Sequence, residues 1–331
     1  MRIDCSRRSF RVLAAVAVAS AALAACSSQG GAANSGGSSS AGSTEGQSLT
    51  FAMITHEQAG DAFWDKIRAG AQDAAKAHNI DLKYSNNENG PEQATLVQNA
   101  IDSKVNGIAV TLSSADAVIP VTQKAVAAGI PVVAFNQGIN QYKEAGAKMY
   151  FGSDETLAGQ TAGQKITQEG GGKALCVIQA QGSVALEARC AGVKQGFPNT
   201  ENLQVNGADL PSVQATIKSK LAEDPSITHI VTLGAPIASA ALGAQAEAGN
   251  TAKLITFDLN QDVAQGIQDG KVEFAVDQQP YVQGYQSVLM LWMNITNGND
   301  LGGGKPVLTG PSLVDKTNIA QILPYTKNNR R

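Results

Sequence analysis

The chain has 331 residues, with 25 Lys and Arg against 28 Asp and Glu, and a formal charge of −3. The part beyond residue 48 is long enough for two domains of ordinary size. An acidic balance without basic clusters argues against nucleic acid as a partner. No sequence pattern of a metal site, a dinucleotide site or a nucleophile with its base occurs, so we expect no metal, no cofactor and no enzyme activity.

The range 1–26 has the composition of an export signal. Four Arg precede an apolar core at 12–25, which is too short to cross a bilayer as a mature helix. The core ends in LAAC at Cys26, which resembles the lipobox of bacterial lipoproteins, where the cysteine is lipidated. The sequence SRRSF fits twin-arginine export, and Sec export is the alternative. We therefore predict a protein anchored by lipid to the outer face of the cell membrane.

The range 27–48 is rich in Gly, Ser and Ala and has almost no apolar bulk, which predicts a flexible tether. Among the four cysteines, Cys5 lies in the export signal and Cys26 in the lipobox. Cys176 and Cys190 form an even pair in an exported chain, which favours a disulfide between them. Two buried free thiols are the alternative.

A short apolar run, a polar loop and an amphipathic segment recur along the rest of the chain. In the first half, apolar runs at 49–54, 80–85, 107–112, 130–135 and 148–153 alternate with predicted helices at 62–78, 91–104 and 117–128. In the second half, runs at 173–179, 202–208, 229–233, 253–258 and 272–278 alternate with helices around Arg189, at 213–222 and at 237–248, and with a further short helix. Continuously apolar strands that alternate with helices predict parallel sheets covered on both faces. Two such series predict an α/β protein with two Rossmann-like lobes.

Ligands of open parallel sheets bind beyond the carboxyl ends of the strands. The residues near those ends include amides, carboxylates, one Arg and two aromatics, and the candidates are Asp61, Phe63, Trp64, Asn136, Gln137, Arg189, Gly234, Asp258 and Gln278. The polar groups form paired hydrogen bonds that suit neighbouring hydroxyls, and aromatic rings cover the apolar face of a sugar or polyol. For the two aromatics, the alternative is a place in the core. His56, near the end of the first strand, is either a ligand contact or a structural residue.

Four segments resemble the periplasmic sugar-binding proteins of the ribose and galactose type, which are the solute-binding subunits of ABC importers. They are AFWDKIRAGAQDAAKAHNIDL, VNGIAVTLSSADAVIPVTQKAVAAGIPVVAFN, ARCAGVKQGF and LITFDLNQDVAQGIQDGKVEFAVDQQP. The resemblance extends over nearly all of the mature chain. It implies a periplasmic binding protein fold of type I, a small polyhydroxylated ligand and a membrane permease as partner. We expect a monomer.

The resemblance also assigns roles to the candidate residues. Arg189, Asp258 and Gln278 keep the roles of the family, and Asp61 takes its polar position before the aromatic pair. Asn136, Gln137 and Gly234 depart from the pattern, since the family usually has Asp and Asn at the first and third positions and ribose binders have Arg at the second. The pocket has therefore lost a charge pair and gained room. A different pentose, a hexose or an acyclic sugar alcohol fits as well as ribose or better.

In this family the chain crosses between the lobes three times, and ligand closes the lobes about these crossings. The resemblance places the crossings near 153–154, 279–280 and 311–312. The predicted amino-terminal lobe is 49–153 plus 280–311, and the carboxyl-terminal lobe is 154–279 plus 312–331.

Three functions are compatible with these observations. The leading prediction is a solute-binding lipoprotein that captures a monosaccharide or sugar alcohol for an ABC importer. The alternatives are a receptor for a small polar signal and, less consistent with the missing catalytic patterns, an exported enzyme. A sugar-responsive repressor with the same core would need a helix-turn-helix where this chain has a signal and a tether.

Overall fold

The computed structural model describes residues 48–58 and 61–331. The predicted export signal, the predicted lipidation site Cys26 and all of the predicted tether except Ser48 lie outside the described residues.

The first of two sheets consists of parallel strands. Its six strands are β1 (Leu49–Thr55), β2 (Ile80–Asn86), β3 (Gly107–Val110), β4 (Val132–Asn136), β5 (Met149–Ser153) and β11 (Val307–Gly310). They lie in the order β11-β5-β4-β3-β1-β2, and every neighbouring pair is parallel. The helices that pack on this sheet are α1 (Phe63–Ala77), α2 (Gly90–Asp102), α3 (Ala115–Ala127) and α9 (Pro280–Asn297).

The second sheet repeats this arrangement. Its strands are β6 (Lys173–Ile178), β7 (Thr200–Gln204), β8 (Ile227–Thr232), β9 (Lys253–Phe257), β10 (Phe274–Asp277) and β12 (Ser312–Asp315), in the order β12-β10-β9-β8-β6-β7. Only β12 is antiparallel to its neighbour. The remaining helices are α4 (Glu155–Gln168), α5 (Val184–Gly196), α6 (Leu210–Glu223), α7 (Ala235–Ala248), α8 (Gln261–Asp269) and α10 (Ile319–Thr326). The predicted α/β fold with two parallel-stranded lobes is confirmed.

The strands are apolar on both faces because each sheet lies between two layers of helices. In β4 all five residues are buried. Val133 and Phe135 pack in one core cluster with Phe51, while Val132 and Ala134 pack in the cluster on the opposite face. This double burial explains why the strands lack the alternation of apolar and polar residues that one solvated face would produce.

Several helices begin where a short polar side chain caps the first turn. Asn89 accepts a hydrogen bond from the backbone N–H of Glu92, and Asp154 accepts one from that of Leu157. Asn260 does the same at the start of α8. Such caps satisfy N–H groups that have no partner inside the helix. They fix the points at which the chain turns from strand ends into helices.

Glycines allow two helix pairs to come very close. A Cβ atom on Gly159 of α4 would lie 2.1 Å from the backbone oxygen of Arg189 in α5, and one on Gly192 of α5 would lie 2.3 Å from that of Thr156. Gly70 of α1 and Gly284 of α9 make a similar reciprocal contact. Only a residue without a side chain fits at these contacts.

The chain crosses between the two sheets at three places. It leaves the first sheet after Ser153 and returns through Gln278 and Gln279, between β10 and α9. At the third crossing, a single residue, Pro311, separates β11 of the first sheet from β12 of the second.

Candidate ligand site

Two polar residues occupy equivalent strand ends in the two lobes. Asn136 ends β4 and Asp258 follows β9, and both strands are third in the order of their sheets. Their φ angles are +62° and +65°, in the left-handed region that Asn and Asp tolerate better than other residues with side chains. Backbone strain at both equivalent positions indicates a functional constraint.

Gln278, on the second crossing, joins these two residues. Its Nε2 donates to Asp258 Oδ1 at 2.8 Å, and its Oε1 accepts from Asn136 Nδ2 at 3.4 Å. Asn136 and Gln278 are 6% and 5% exposed. Three predicted site residues, one from each lobe and one from a crossing, therefore lie together.

Arg189, on α5, completes this cluster. Its Nε donates to Glu155 Oε2 at 2.5 Å, and its Nη1 donates to the backbone oxygen of Leu233 at 3.1 Å. The same Nη1 lies 3.9 Å from Asp258 Oδ2. The guanidinium also lies over the Phe257 ring, 4.8 Å from its centre. A buried guanidinium is thus held in one position beside the Asp258 carboxylate.

The cluster perturbs the ionisation of Asp258. Burial raises the pKa of its carboxyl to about 6, because a desolvated carboxylate is less stable than its neutral form. The charge of Arg189 and the hydrogen bond from Gln278 act in the opposite direction and limit the rise in pKa. Titratable groups with a perturbed pKa in a polar cluster are typical of functional sites.

Three atoms of the cluster can still accept or donate a hydrogen bond. Asn136 Oδ1, Asp258 Oδ2 and Arg189 Nη2 make no hydrogen bond to any residue among 48–58 and 61–331. None of them is among the fully buried side-chain atoms of this part of the chain that lack a partner. Two acceptors and one charged donor at the junction of the lobes can bind the hydroxyls of a ligand.

The predicted aromatic pair lies in the first turn of α1, after the loop that follows β1. Phe63 is half-buried and meets Trp64 edge to face, with 5.4 Å between ring centres. Trp64 is only 4% exposed and packs in the core with Phe51, which was the alternative for this residue. Its contact with a ligand stays a prediction, and Phe63 has more of its ring available.

Two polar residues between β1 and α1, His56 and Asp61, differ in their surroundings. Asp61 is exposed, and its carboxylate accepts the backbone N–H of Phe63 at 3.0 Å. The protein around it desolvates the carboxylate and raises its pKa. His56 Nδ1 lies 2.8 Å from Thr111 Oγ1, and burial lowers the pKa of the imidazole to about 4. Among the described residues, no hydrogen bond connects Asp61 or His56 to the Asn136–Arg189 cluster.

Two of the predicted residues, Gln137 and Gly234, take no part in the hydrogen bonds of the Asn136–Arg189 cluster. Gln137 is half-buried, and within the described chain only its backbone makes hydrogen bonds, to Phe135 and Leu112. Gly234 was expected to leave room in the pocket. That room is partly occupied, because Gln179 Nε2 lies 3.1 Å from where a Cβ of residue 234 would be. Gln179 Oε1 is buried without a partner in the described structure.

Sequence reasoning missed several residues that contact the predicted set, among them Glu155, Gln179 and Gln283. Glu155 holds Arg189, and Gln283 is fully buried against Asn136 and Gln278. Gln179 ends the apolar run at 173–179, so the rule about strand ends could have found it. Glu155 and Gln283 lie inside helices, where a polar residue ordinarily faces solvent.

The predicted disulfide is confirmed. Cys176 of β6 is bonded to Cys190 of α5, and both residues are fully buried. The bond fixes α5 to the second sheet at the residue next to Arg189. It therefore supports the position of the guanidinium.

Other features of the described residues lie apart from this cluster. Two surface cavities, of about 680 and 480 Å³, lie between α6 and α7 and beside the amino ends of β3 and β4, and no predicted site residue lines either of them. Residues 48–58 and 61–331 contain no group of three His, Cys, Asp or Glu residues that could hold a metal ion. In the same part of the chain, no helix has the length and hydropathy needed to span a membrane.

Two parallel-stranded lobes with polar residues of both at their junction are the architecture of a two-lobed binding protein. Residues 51–300 match the sequence model of the periplasmic binding protein domain, so the chain belongs to that family. It is a solute-binding protein rather than an enzyme, and the family places it outside the cytoplasm. The predicted family, the predicted solute-binding role and the predicted place outside the cytoplasm are therefore confirmed.

Individual relatives show the same likeness. A carbohydrate transporter from Acidothermus cellulolyticus 11B, solved in complex with myo-inositol, is 54% identical and has a TM-score of 0.83, over 86% of this chain and 100% of that one. The xylose/arabinose-binding protein XylF of Sulfolobus acidocaldarius is 26% identical over 79% of this chain and 70% of its own length. GanP, a glucose-galactose binding protein from Geobacillus stearothermophilus, is 20% identical with a TM-score of 0.70, over 82% of this chain and 99% of that one, and shares the fold.

Proposed function

We propose that this protein binds a neutral polyhydroxylated ligand between its two lobes and delivers it to an ABC importer. The observation that carries this proposal is the cluster of Asn136, Gln278, Asp258 and Arg189. It draws on both lobes and leaves two acceptors and one donor without a hydrogen bond to another described residue. The charge of Arg189 is already matched by Glu155 and Asp258. No surplus positive charge remains for a carboxylate or phosphate, which favours an uncharged ligand.

A cyclic polyol of the inositol type is the first ligand that we propose. The relative that is 54% identical was solved with myo-inositol, whereas relatives of 20 to 26% identity include binders of pentoses and hexoses. The sequence led us to expect an acyclic sugar alcohol among the candidates. An inositol ring offers the same dense hydroxyls with a rigid frame, so less conformational entropy is lost on binding.

The residues have distinct roles in this proposal. Asn136 Oδ1 and Asp258 Oδ2 accept hydrogen bonds from ligand hydroxyls, and Arg189 Nη2 donates one. Phe63 covers the apolar face of the ring, with Asp61 beside it, while Trp64, Gln137 and Gly234 shape the surroundings. Asn136 and Phe63 belong to the lobe of 49–153 plus 280–311, and Arg189 and Asp258 to the lobe of 154–279 plus 312–331. Ligand therefore stabilises the closed arrangement, in which both sets of contacts form.

We further propose that the protein acts at the membrane. Lipidation of Cys26 would anchor it to the outer face, and the tether at 27–48 would let the folded part reach a permease. A form with Cys26 replaced by Ala should lose the incorporation of labelled fatty acid that the wild-type protein shows. Absence of label from the wild-type protein, or undiminished label in the variant, would contradict the anchor.

Thermal unfolding in the presence of candidate ligands tests the binding function. Purified protein is mixed with myo-inositol, pentoses, hexoses and acyclic polyols, and a tight ligand raises the melting temperature by mass action. We expect the largest rise with myo-inositol. A rise with none of these compounds would contradict the proposed ligand class, and a larger rise with a pentose would move the assignment to that class.

A further inference from the structure

Gln283 is a fully buried amide in the first turns of α9 and was not among the predicted site residues. Its Nε2 lies within hydrogen-bond distance of three acceptors, the backbone oxygen of Gln278 at 3.1 Å, Gln278 Oε1 at 3.2 Å and Thr309 Oγ1 at 3.2 Å. Its Oε1 accepts from Asn136 Nδ2 at 3.1 Å. One side chain thus contacts the first lobe, the second crossing and the strand before the third crossing.

These contacts determine which atom each amide presents. The ionised carboxylate of Asp258 can only accept a hydrogen bond, so Gln278 directs its Nε2 to Asp258. Its Oε1 then faces the amide nitrogens of Asn136 and Gln283. The backbone oxygen of Gln278 also can only accept, so Gln283 directs its Nε2 there. The remaining atom, Gln283 Oε1, requires a donor, and Asn136 Nδ2 is that donor. Reversal of any one amide would place two oxygens or two N–H groups against each other.

We propose that Gln283 is a positioning residue that turns Asn136 Oδ1 toward the ligand, so that this side of the site accepts a hydrogen bond from a ligand hydroxyl. This inference rests on the proposed function, since it concerns the polarity of the same site. Gln283 is fully buried and does not touch the ligand. It acts through Asn136, whose Nδ2 is engaged and whose Oδ1 accepts no hydrogen bond from another described residue.

A double-mutant cycle separates this role from a purely structural one. The variants are Gln283→Met, which keeps the length but not the hydrogen bonds, and Asn136→Gly, which removes the side chain and tolerates a positive φ. We expect Gln283→Met to weaken the binding of myo-inositol about tenfold in the wild-type background. In the Asn136→Gly background the same substitution should change the affinity by less than about twofold, because the atom on which it acts is gone.

Gln245→Met is the matched control. Gln245 is also a buried amide inside a helix, and it donates to the backbone oxygen of Ala252, far from the site. The control should lower the melting temperature and leave the affinity for myo-inositol unchanged. Equal losses of affinity from Gln283→Met in both backgrounds, or no loss in either, would overturn the inference.

A second measurement uses the unaltered protein and does not depend on the folding of a variant. Fluorine on the ring can accept a weak hydrogen bond but cannot donate one. We expect two ring positions at which the deoxyfluoro-inositol binds as poorly as the deoxy-inositol, since both Asp258 Oδ2 and Asn136 Oδ1 need a donor. If fluorine restores binding at every position where removal of the hydroxyl reduces it, or at all of these positions but one, the assigned polarity of Asn136 is wrong. Failure of myo-inositol itself to bind would instead contradict the proposed function.

Discussion

The carboxylate of Asp258 connects the two types of interaction in the candidate site. One oxygen accepts from the amide of Gln278 and the other faces Arg189, while the side chain as a whole stays 14% exposed. Its backbone is in the left-handed region, as is that of its counterpart Asn136. A residue that is strained, partly desolvated and still accessible is better suited to binding than to stabilising the fold.

Replacement of Asp258 by Asn keeps the shape of the side chain and removes its charge. We expect the affinity for the ligand to fall by about 1.5 to 3 kcal/mol, the range for hydrogen bonds to charged groups. The fold should persist, because the substitution removes a buried charge whose desolvation opposes folding. Calorimetric titration with myo-inositol and thermal unfolding measure the two effects. Wild-type affinity in Asp258→Asn would contradict the site.

The raised pKa of Asp258 also predicts a dependence on pH. Since the pKa of about 6 in the folded protein exceeds the unfolded value of about 3.9, the folded state holds this proton more tightly. The contribution of Asp258 to stability therefore decreases as pH rises through this interval. Ligand affinity should show the opposite trend and weaken as pH falls below about 6, because hydroxyls donate better to the ionised carboxylate. In Asp258→Asn, the ligand affinity should not change with pH in this interval. A change as large as that of the wild-type protein would mean that another group causes it.

Residues at strand ends were predictable, whereas their supporting residues mostly were not. Asn136, Arg189, Asp258 and Gln278 lie together in the structure, as parallel sheets with polar residues at their carboxyl ends would suggest. Gln283 was missed because an isolated Gln within a helix gives no sign that it is buried. The partial occupation of the space at Gly234 by Gln179 depends on side-chain packing, which a pattern of residue types does not contain.

At the scale of elements, the pairing of α4 with α5 supports the site from behind. α4 packs closely on Arg189 itself, since a Cβ added at Gly159 would lie 2.1 Å from the backbone oxygen of that residue. The disulfide ties the next residue along α5 to β6. Close helix packing and a covalent bond thus fix the turn of α5 that carries the guanidinium.

Gly159→Ala should disturb this turn. The added Cβ would come within 2.1 Å of the Arg189 backbone oxygen, so α4 and α5 must move apart. We expect a loss of about 1 to 3 kcal/mol in the free energy of unfolding, as for other overpacked contacts, together with weaker ligand binding. Gln164→Ala, at an exposed position of the same helix, is the control and should change neither quantity. An unchanged melting temperature in Gly159→Ala would show that the helices are further apart than described.

Replacement of both Cys176 and Cys190 by Ala should destabilise the second lobe. The bond closes a loop between residues with a sequence separation of 14. For a loop of this length, we expect its removal to lower the free energy of unfolding by about 3 kcal/mol. Denaturant unfolding of the double variant and of reduced wild-type protein should show similar decreases. Detection of two free thiols by mass spectrometry in protein purified without reductant would contradict the bond.

At the scale of the whole molecule, the two lobes repeat one plan with β1 to β5 matched by β6 to β10. The fold was largely predictable because apolar strands and amphipathic helices alternate throughout. The repeat also explains the equivalence of Asn136 and Asp258. A ligand that contacts both is held by corresponding positions of two similar halves.

Ligand binding should make the protein more compact. Because the contacts are divided between the lobes, only a closed arrangement forms all of them. Small-angle X-ray scattering of wild-type protein should therefore show a smaller radius of gyration with saturating myo-inositol. Asp258→Asn at the same ligand concentration should show a reduced decrease. An unchanged radius in saturated wild-type protein would argue that the lobes do not move.

The single residue between β11 and β12 limits how the lobes can move. With only Pro311 between them, the two sheets cannot separate along this edge, and any large displacement must be a swing about it. The opposite edges, formed by β2 and β7, would then travel furthest. A pair of fluorescent dyes placed just beyond these two strands, at Glu88 and Ala208, should report occupancy with the largest change in energy transfer, which makes the protein a candidate scaffold for a polyol biosensor.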